Sequence, residues 1–496
     1  MSGEGQTPSA EGTGTTPKEK TPLNGAEAGV VKHDLRIERF FERYLRHMKG
    51  RWAGQPFHLE PWQRNDILRP LFGTLQPDGR RQYREALIGL PRKSGKSEIA
   101  AGIALYLLAA DGEYGAEIYG VAGSRQQATI VFKTAVDMVN ASPLLRAACK
   151  VYRHVIELPE TGSLYRVLSA DAKLAHGYNP HGAVIDELHV HPNGELYEAL
   201  RTGTAARTQP LIVSITTAGA SRDGIAWDVY QRGLAKTDPR LFFYWRGAAD
   251  GSAKDDKEAW KQANPASWVS EEFLEDQMRS LPEPVFRRLH LNQWFEEAAA
   301  SSWLTPEQWE SAQGEPLIDP AVPIVVAVDA ASRRDTTGVA IAQRGADGVM
   351  NVKTWIFKAD EELGYLDYGI IEDFVRDICK DYVVSRLAFD PFQMTAIQMR
   401  LANDGLPAET FPQNDIRMVP ASQLLFDLIV EGKLRAGNDP ALTEQVLAAG
   451  IRDTARGWRL EKRKSQKPID AVVALAMAVQ LAEWEAELSG ARVIII

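Results

Sequence analysis

A short polar loop between two apolar stretches contains the first residues that could do chemistry. The apolar residues 86–90 are followed by Pro-Arg-Lys-Ser-Gly-Lys-Ser at 91–97 and then by a helix-like apolar pattern. This order of strand, loop and helix is typical of a P-loop, in which backbone N–H groups and the helix dipole hold phosphate oxygens. Lys96 would reach the β- and γ-phosphates of a nucleotide, and Ser97 would bind Mg²⁺. Leu90 stands where the motif usually has its first glycine, so an ordinary basic turn is an equal alternative from these residues alone.

Two adjacent acidic residues, Asp186 and Glu187, follow the apolar stretch at 182–185. Asp186 would complete the ligand shell of Mg²⁺, and Glu187 would polarise the attacking water. Alone, such a pair commonly marks the point where a strand meets solvent. Strands and helices alternate between the P-loop and this pair, so a parallel sheet can bring both strand ends to one crevice. That arrangement favours ATP hydrolysis over an ordinary strand end.

Polar residues beside other apolar stretches complete the predicted ATP site. Gln63, next to Trp62, could read an adenine edge, although a core tryptophan with a surface glutamine fits the pattern equally well. Thr216 and Thr217 end the next apolar run, where their hydroxyls could sense the γ-phosphate and couple its loss to the sheet. The predicted ATP-binding residues are Gln63, Arg92, Lys93, Ser94, Gly95, Lys96, Ser97 and Asp186.

Three aspartates in the second half of the chain form another candidate site. Asp329 and Asp390 each end a predicted strand, and Asp470 begins the last predicted helix. Converging carboxylates can hold two divalent metal ions, which activate a water and stabilise the leaving oxygen when a phosphodiester is cut. Each aspartate alone could be a cap or a strand-end residue. Their order, on the first strand, the fourth strand and the final helix, is the layout of a ribonuclease H-like fold; Asp335 and Asp427 are weaker candidates.

A basic stretch that resembles a hairpin lies just before the third aspartate. Such residues near a metal site could follow a phosphate backbone, although a solvated hairpin explains them equally well. The basic residues are Arg459, Lys462, Arg463, Lys464 and Lys467, of which Lys462, Arg463 and Lys464 are the predicted DNA contacts.

Composition indicates two or three domains with ordinary apolar content. The 496 residues carry a net charge of −9, so contacts with nucleic acid must come from local basic patches. The two cysteines, Cys149 and Cys379, have no ligand-like spacing and indicate a reducing compartment. No stretch has the length and apolarity of a membrane span, and none reads as a signal-peptide core, so a cytoplasmic protein is expected.

The pattern along the chain predicts an α/β protein in four segments. Residues 1–30 are polar and should be disordered. Residues 31–220 predict a P-loop ATPase domain with an ASCE or RecA-like parallel sheet, and residues 221–315 a helical lid or connector. Residues 316–490 predict a ribonuclease H-like nuclease domain.

Together these motifs make the chain resemble the large terminase subunit of tailed bacteriophages, whose P-loop typically departs from the glycine-first form. The resemblance covers nearly everything except the tail, and its motifs are specific only in combination. The matching segments are Phe57 with Pro61-Trp62-Gln63, residues 91–97, residues 184–189, residues 214–219, and the aspartates Asp329, Asp390 and Asp470.

The resemblance implies an ATP-driven motor that moves double-stranded DNA into the procapsid as a ring of identical subunits docked on the portal protein. It also implies an endonuclease, with two Mg²⁺ or Mn²⁺, that cuts concatemeric DNA to start and end packaging. A small terminase subunit would be a further partner, and the host cytoplasm the location. Many relatives carry an arginine finger where this chain offers only Lys173 and His176; Arg125, Arg222 and Arg92 are open alternatives.

Two other functions compete with this interpretation. Asp186-Glu187-Leu188-His189 also fits the DExH box of a helicase. A helicase of that type needs a second ATPase-like lobe, whereas the second half of this chain is a strand meander that carries carboxylates. An assembly protein with a relict ATP site is the third possibility, and the presence of all the acidic site residues argues against it.

Overall fold

The structure is a computed structural model, and part of the chain is described in it. The predicted tail 1–30 and the residues Lys173, His176, Asp335, Arg463 and Lys464 lie outside the described residues. The described residues are 33–123, 125–168, 177–191, 193–294, 302–330, 336–359, 366–454, 456–462 and 467–490.

The chain divides into two compact units, each formed by several segments. The first unit consists of Met1–Ile88, Gly95–Ile215 and Arg232–Tyr244. The second unit consists of Gly89–Ser94, Thr216–Gln231 and Trp245–Ile496.

Strands and helices alternate through the first unit, and both kinds of element recur in the second. The strands are β1 (Glu85–Gly89), β2 (Glu117–Ala122), β3 (Lys150–Val151), β4 (Val155–Leu158), β5 (Ser163–Val167), β6 (Gly182–Asp186), β7 (Leu211–Thr216), β8 (Leu241–Trp245), β9 (Ile324–Ala330), β10 (Thr337–Arg344), β11 (Met350–Phe357), β12 (Val384–Phe389), β13 (Ala408–Thr410), β14 (Leu434–Ala436), β15 (Ala449–Thr454) and β16 (Gly457–Lys462). The α-helices are α1 (His33–Tyr44), α2 (Arg69–Gly73), α3 (Lys96–Ala109), α4 (Arg125–Ala141), α5 (Pro143–Ala148), α6 (Glu195–Thr202), α7 (Gly224–Ala235), α8 (Lys257–Ala263), α9 (Glu271–Ser280), α10 (Glu283–His290), α11 (Pro306–Ser311), α12 (Tyr368–Asp381), α13 (Pro391–Asn403), α14 (Asp415–Val430), α15 (Pro440–Ala448) and α16 (Asp470–Gly490).

The first unit is built on an eight-stranded sheet with the order β3-β4-β5-β2-β6-β7-β1-β8. The strands β5, β2, β6 and β7 pair in parallel, as the alternating pattern predicts. The central strands β1, β6 and β7 are buried at every residue, which is expected when helices cover both faces of a parallel sheet. The edge strand β8 was missed by the sequence analysis, because its aromatic run lies in a segment dominated by helical spacing.

The second unit contains a six-stranded sheet with the order β13-β12-β9-β10-β11-β14. Strands β9, β10 and β11 form an antiparallel meander, and β12 pairs in parallel with β9. This is the predicted ribonuclease H-like layout. The short edge strands β13 and β14, which pair in parallel with β12 and β11, were not predicted.

Alternation along β9 separates two cores in the second unit. Val325 and Ala327 face the last helix, α16, and the helices α14 and α15. Val326 and Val328 face the opposite side, where α12 and α13 pack. Because successive strand residues point to opposite faces, Asp329 lies on the same face as Val325 and Ala327, towards α16.

A buried ionic cluster stabilises the first unit. Arg81 donates to both carboxylate oxygens of Asp111 at 3.0 and 3.2 Å, and His181 Nε2 lies 2.8 Å from Asp111 Oδ2. All three side chains are buried. Burial alone would raise the pKa of Asp111, but the Arg81 charge and the His181 hydrogen bond hold it well below its usual range. The pair is therefore charged, and each partner depends on the other.

None of the described helices is both long enough and apolar enough to cross a membrane.

We expect Arg81→Met to lower the free energy of unfolding by about 3–5 kcal/mol, because the buried Asp111 carboxylate would lose its cation. The matched control is Arg80→Met, whose exposed pair with Asp78 is screened by solvent and should contribute little to stability. Urea unfolding of both variants measures the difference. Equal losses in the two variants would contradict the role of the cluster.

Candidate active sites

The loop before α3 has a backbone that favours glycine. Gly95, the N-cap of α3, has a φ of 74°, and Lys93 has a φ of 70°. Lys96 begins the helix with its side chain buried. In the first unit, Lys96 Nζ lies 3.6 Å from Glu187 Oε1. The structure therefore brings together the lysine and the acidic pair that the sequence predicted as one site.

The acidic pair is held at the end of β6 by backbone geometry. Glu187 has a φ of 50°, and its N–H donates to the Ile215 carbonyl at 2.7 Å. His189 Nδ1 lies 3.3 Å from Glu187 Oε2. Burial, followed by the charge of Glu187, raises the pKa of Asp186 to about 7, and Lys96 opposes this rise. A cation near Asp186 would relieve this electrostatic cost.

One oxygen of Asp186 is suited to a metal ion. Asp186 Oδ1 is buried and has no hydrogen-bond partner among the described residues. A carboxylate oxygen at a strand end, beside a P-loop, is the kind of donor that Mg²⁺ takes in nucleotide sites. The residues therefore fit Mg²⁺, with Ser97 half-buried in the first turn of α3 as the second predicted ligand.

Gln63 lies in an unusual turn of the first unit. The segment Gln63–Leu68 is a π-helix, a rare conformation that often marks functional sites. Gln63 Oε1 accepts from the Glu60 N–H at 3.0 Å, and Trp62 Nε1 donates to Glu60 Oε2 at 2.7 Å. The Gln63 amide NH₂ is then the group that would donate to an adenine ring nitrogen, and this role stays a prediction.

In the second unit, the first half of the loop is held by residues that the sequence analysis missed. The Arg92 N–H donates to the Leu289 carbonyl at 2.7 Å, and Trp268 Nε1 donates to the Lys93 carbonyl at 2.7 Å. The side chains of Arg92 and Lys93 are exposed, and the Ser94 hydroxyl is buried. These contacts cross about two hundred positions of sequence, so local spacing carries no signal of them.

Thr216, at the end of β7, is tied to the same loop within the second unit. Its carbonyl accepts from the Leu90 N–H at 3.0 Å, and its hydroxyl donates to the Thr217 carbonyl at 2.9 Å. Asn292 bridges two backbone segments: its Oδ1 accepts from the Ala218 N–H at 2.7 Å, and its Nδ2 donates to the Arg246 carbonyl at 2.7 Å. Asn292 also has a φ of 52°, which asparagine tolerates better than most residues.

The three predicted nuclease acids lie at the ends of elements in the second unit. Asp329 is in β9, Asp390 follows β12, and Asp470 begins α16, and all three are buried. Asp390 precedes Pro391, which excludes a helical backbone at Asp390 and keeps it extended (φ −59°, ψ 128°). Its N–H donates to the Val328 carbonyl at 3.1 Å, and the Thr336 hydroxyl donates to Asp470 Oδ2.

The pKa of Asp329 is affected by the other two acids, which indicates that the three carboxylates lie near one another. Burial raises the pKa of Asp329 well above its usual range, and the charges of Asp470 and Asp390 add to the shift. Gln413 opposes it by donating from Nε2 to Asp329 Oδ1 at 2.6 Å, and the charge of Arg459 acts in the same direction. Within the described residues, no group of three or more acidic, histidine or cysteine side chains meets the geometry of a metal site. The donor set, carboxylates that repel one another, nevertheless suits divalent cations in its chemistry.

Two other sequence candidates have different surroundings. The pKa of Asp427 is raised by burial and by Glu431, with Gln423 opposing, so none of the three nuclease acids is among the groups that shift it. Arg459 is mostly buried: its Nη1 donates to the Gln413 carbonyl at 2.8 Å and lies 3.4 Å from Asp415. Arg459 thus positions the Gln413 backbone, a role that the sequence analysis, which placed it in a basic stretch facing either DNA or solvent, did not anticipate. The side chain of Lys462, like Arg463 and Lys464, is outside the described residues.

Gly338 allows the last helix to reach the second sheet. It pairs with Asp329 across β9 and β10. A Cβ at Gly338 would lie 2.4 Å from the Ala471 Cα and 2.6 Å from the Asp470 carbonyl carbon. Both are backbone atoms, so a side chain here would have to push the start of α16 away from the sheet. Gly338 therefore sets the approach of Asp470 to Asp329.

The folds and sites define a class: a P-loop ATPase joined to a ribonuclease H-like nuclease. Family models agree with this division. The terminase large subunit ATPase domain matches residues 61–233, and the terminase large subunit endonuclease domain matches residues 350–486. The chain belongs to the terminase large subunit family, whose ATPase and endonuclease activities package phage DNA. Asp390 and Asp470 lie inside the matched endonuclease range, and Asp329 lies before it.

Known relatives cover most of the chain. The large terminase subunit of Enterobacteria phage HK97 is 28% identical, over 92% of this chain and 96% of its own. Protein YmfN of Escherichia coli K12 is 27% identical over 61% of this chain and 77% of its own.

Solved structures of a large terminase from a thermophilic bacteriophage are also similar. Its second crystal form has a TM-score of 0.55 at 12% identity, covering 85% of this chain and 96% of that one. Its third crystal form, in complex with ADP, has a TM-score of 0.52 at 12% identity, covering 80% of this chain and 94% of that one. At this identity the likeness shows the fold alone.

We expect Asp186→Asn to stabilise the nucleotide-free and metal-free protein at pH 8 by about 2 kcal/mol. The folded-state pKa is raised, so the stability contributed by the protonated carboxyl is full below about pH 4 and is lost as the pH rises through about 7. The difference in the free energy of unfolding between Asp186→Asn and the parent should therefore shrink as the pH falls towards 4. Thermal unfolding across this range measures it. The exposed Asp255→Asn is the control, and the same pH-dependent gap in both variants would contradict the assignment.

We expect Gly338→Ala to reduce metal-dependent DNA cleavage by about a hundredfold, because displacement of Asp470 by about 1 Å disrupts the acidic set. ATP hydrolysis should persist. Plasmid nicking and phosphate release measure the two activities. The control is Gly314→Ala, where a Cβ would make an ordinary contact at 3.5 Å with the Arg435 side chain. Parental nicking by Gly338→Ala would contradict the close approach.

Proposed function

We propose that this terminase large subunit hydrolyses ATP with Lys96, Ser97, Asp186 and Glu187, and cuts DNA with Asp329, Asp390 and Asp470. The observation that carries the ATPase assignment is the approach of Lys96 to Glu187 beside the unsatisfied Asp186 oxygen. The corresponding observation for the nuclease is the burial of all three aspartates and the effect of the Asp470 and Asp390 charges on the pKa of Asp329.

The ion pair of Lys96 and Glu187 suggests how the ATPase site is kept idle without nucleotide. A γ-phosphate would compete with Glu187 for the Lys96 ammonium group. Once released, the Glu187 carboxylate would be able to accept a proton from the attacking water. Mg²⁺, held by Ser97 and Asp186, would neutralise charge on the phosphates. Gln63, Arg92, Lys93, Ser94 and Gly95 would bind the rest of the nucleotide.

Thr216 and Thr217 would couple nucleotide state to the second unit. The Thr216 carbonyl is bonded to Leu90 in the P-loop segment, and Ala218 is bonded to Asn292. If the end of β7 shifts when the γ-phosphate is lost, both the Leu90 backbone and the Asn292 side chain, which bond to this segment, would therefore move. This is how hydrolysis would drive translocation of double-stranded DNA.

In the nuclease, Asp329, Asp390 and Asp470 would hold two Mg²⁺ or Mn²⁺. These ions would supply an activated water and stabilise the leaving oxygen. Gln413 donates to one oxygen of Asp329, and Thr336 donates to one oxygen of Asp470, so these neighbours would orient the carboxylates that bind the ions. Lys462, Arg463 and Lys464 would contact the DNA backbone.

The proposed assembly follows from the family. The partners are double-stranded DNA, the portal protein and a small terminase subunit, and the large subunit acts as a ring on the procapsid in the host cytoplasm. The domain limits 31–220, 221–315 and 316–490 and the tail 1–30 stay predictions.

Arg222 is a poor candidate for the arginine finger, because it stacks on Trp227 and donates to the Trp294 carbonyl at 3.3 Å. A helicase is disfavoured because the second sheet has a ribonuclease H-like order.

Separation of the two activities tests the proposal. We expect Lys96→Ala and Glu187→Gln to lower DNA-stimulated ATP hydrolysis by about 10²- to 10⁴-fold while Mn²⁺-dependent plasmid nicking persists. Asp329→Ala, Asp390→Ala and Asp470→Ala should have the reverse effect. Asp427→Ala is the matched acidic control in the second unit and should retain both activities. Parental ATP hydrolysis in both P-loop variants would refute the ATPase assignment, and parental nicking in the aspartate variants would refute the nuclease site.

A further inference from the structure

The turn that follows Asp390 carries an aromatic side chain that the fold does not bury. Phe389, just before Asp390, is fully buried, and Met394, just after the turn, is also buried. Phe392 between them is 60% exposed. The ring of Phe392 is therefore available for contact with a ligand beside the acid that ends β12.

The backbone of this turn holds the ring out of the helix. Phe392 has a ψ of 117°, and Gln393 has a φ of 63°, so the first turn of α13 is broken. A left-handed conformation is strained for a residue with a side chain, and such strain is found mainly at functional sites. The Tyr368 hydroxyl donates to Gln393 Oε1 at 2.6 Å and so holds the turn to α12. The exposed ring is therefore presented by a fixed turn.

The ring lies within a short distance of the proposed cutting site. Two residues of chain span at most about 7 Å, which limits the separation of the Phe392 and Asp390 Cα atoms. Burial raises the pKa of Asp390, and the backbone N–H of Phe392, which lies near its carboxyl group, opposes that rise. Nucleotides along one strand of a duplex are about 3.4 Å apart along the axis. A phosphate at Asp390 would thus bring a base within reach of the ring.

We propose that Phe392 binds the DNA substrate by stacking on a base next to the bond that is cut. This inference rests on the proposed role of Asp390 in the nuclease. Every base has an aromatic face, so the contact requires no particular sequence. Insertion of an apolar side chain between base steps also bends a duplex, which would open the backbone next to the acids. Phe392 would then select for DNA that can be distorted at the cut.

The test measures binding of the full-length protein to a fluorescein-labelled DNA duplex, with Ca²⁺ replacing Mg²⁺ to suppress cleavage. Phe392→Ala should raise the Kd by about 5- to 100-fold, the range expected for the loss of one base–aromatic stack. Phe392→Trp should bind close to the parent, because the aromatic face is kept. Plasmid nicking by Phe392→Ala should fall in parallel, with ATP hydrolysis unchanged.

The control is Met399→Ala, on the same helix and 57% exposed, but farther from Asp390 along the chain. It should bind DNA as the parent does. Parental binding by Phe392→Ala, or equal weakening by Met399→Ala, would overturn the inference. If Phe392→Ala does not fold, Phe392→Leu keeps an apolar side chain without the ring, and parental binding by that variant would also overturn it.

Failure of this inference is distinguishable from failure of the nuclease assignment. If Asp390→Ala nicks DNA as the parent does, the proposed cutting site is wrong, and the inference that depends on it fails too. If Asp390→Ala is inactive while Phe392→Ala binds and nicks as the parent does, only the stacking contact is refuted.

Discussion

Each candidate site contains a buried aspartate with other carboxylates close to it. Asp186 lies beside Glu187 at the end of β6, and Asp329 lies near Asp470 and Asp390, and in each case the pKa of the first residue is raised. Such groups repel one another and lose hydration, so the rest of the fold must hold them in place. The backbone holds them at strand ends, through the left-handed conformation of Glu187 and through the proline that follows Asp390. A ligand that neutralises them will stabilise the folded state.

The sequence predicted the acids but not the residues that support them. An apolar run that closes on aspartate is a local signal, and β6, β9 and β12 do end at or next to Asp186, Asp329 and Asp390. Gly338 and Gln413 gave no such signal. Gln413 reaches Asp329 across 84 positions, and the role of Gly338 appears only when α16 is packed on β10. Local patterns predict elements and their ends, whereas contacts between distant elements decide which neighbours support a site.

Arg459 and β8 are two further features that local sequence patterns did not predict. The basic stretch that contains Arg459 indicated a contact with DNA or with solvent, but Arg459 lies against Gln413 and Asp415. The aromatic run of β8 lies among helices in the sequence, but it becomes the edge of the first sheet. For Arg459, packing decides where the side chain points. For β8, packing decides that the segment forms a strand of the first sheet.

Within the second unit, a series of contacts and chain neighbours runs from the backbone of Arg92 to Asp329. The Arg92 N–H donates to the Leu289 carbonyl, and the preceding residue of α10, Arg288, pairs with Asp453 on β15. The partner strand β16 carries Arg459, which holds Gln413, which in turn holds Asp329. Every member of this series lies in one compact unit. Packed and bonded groups of this kind are the physical means by which one site can affect another.

The raised pKa of Asp186 has a consequence for the use of nucleotide. In the proposed role of a Mg²⁺ ligand, this carboxyl group would have to lose its proton before it binds the ion. Binding of the magnesium nucleotide should therefore expel protons into the medium. Below a pH of about 7 the affinity would weaken by up to about tenfold for each unit. Acidification would then weaken the binding of the magnesium nucleotide, and so slow the motor, before the protein unfolds.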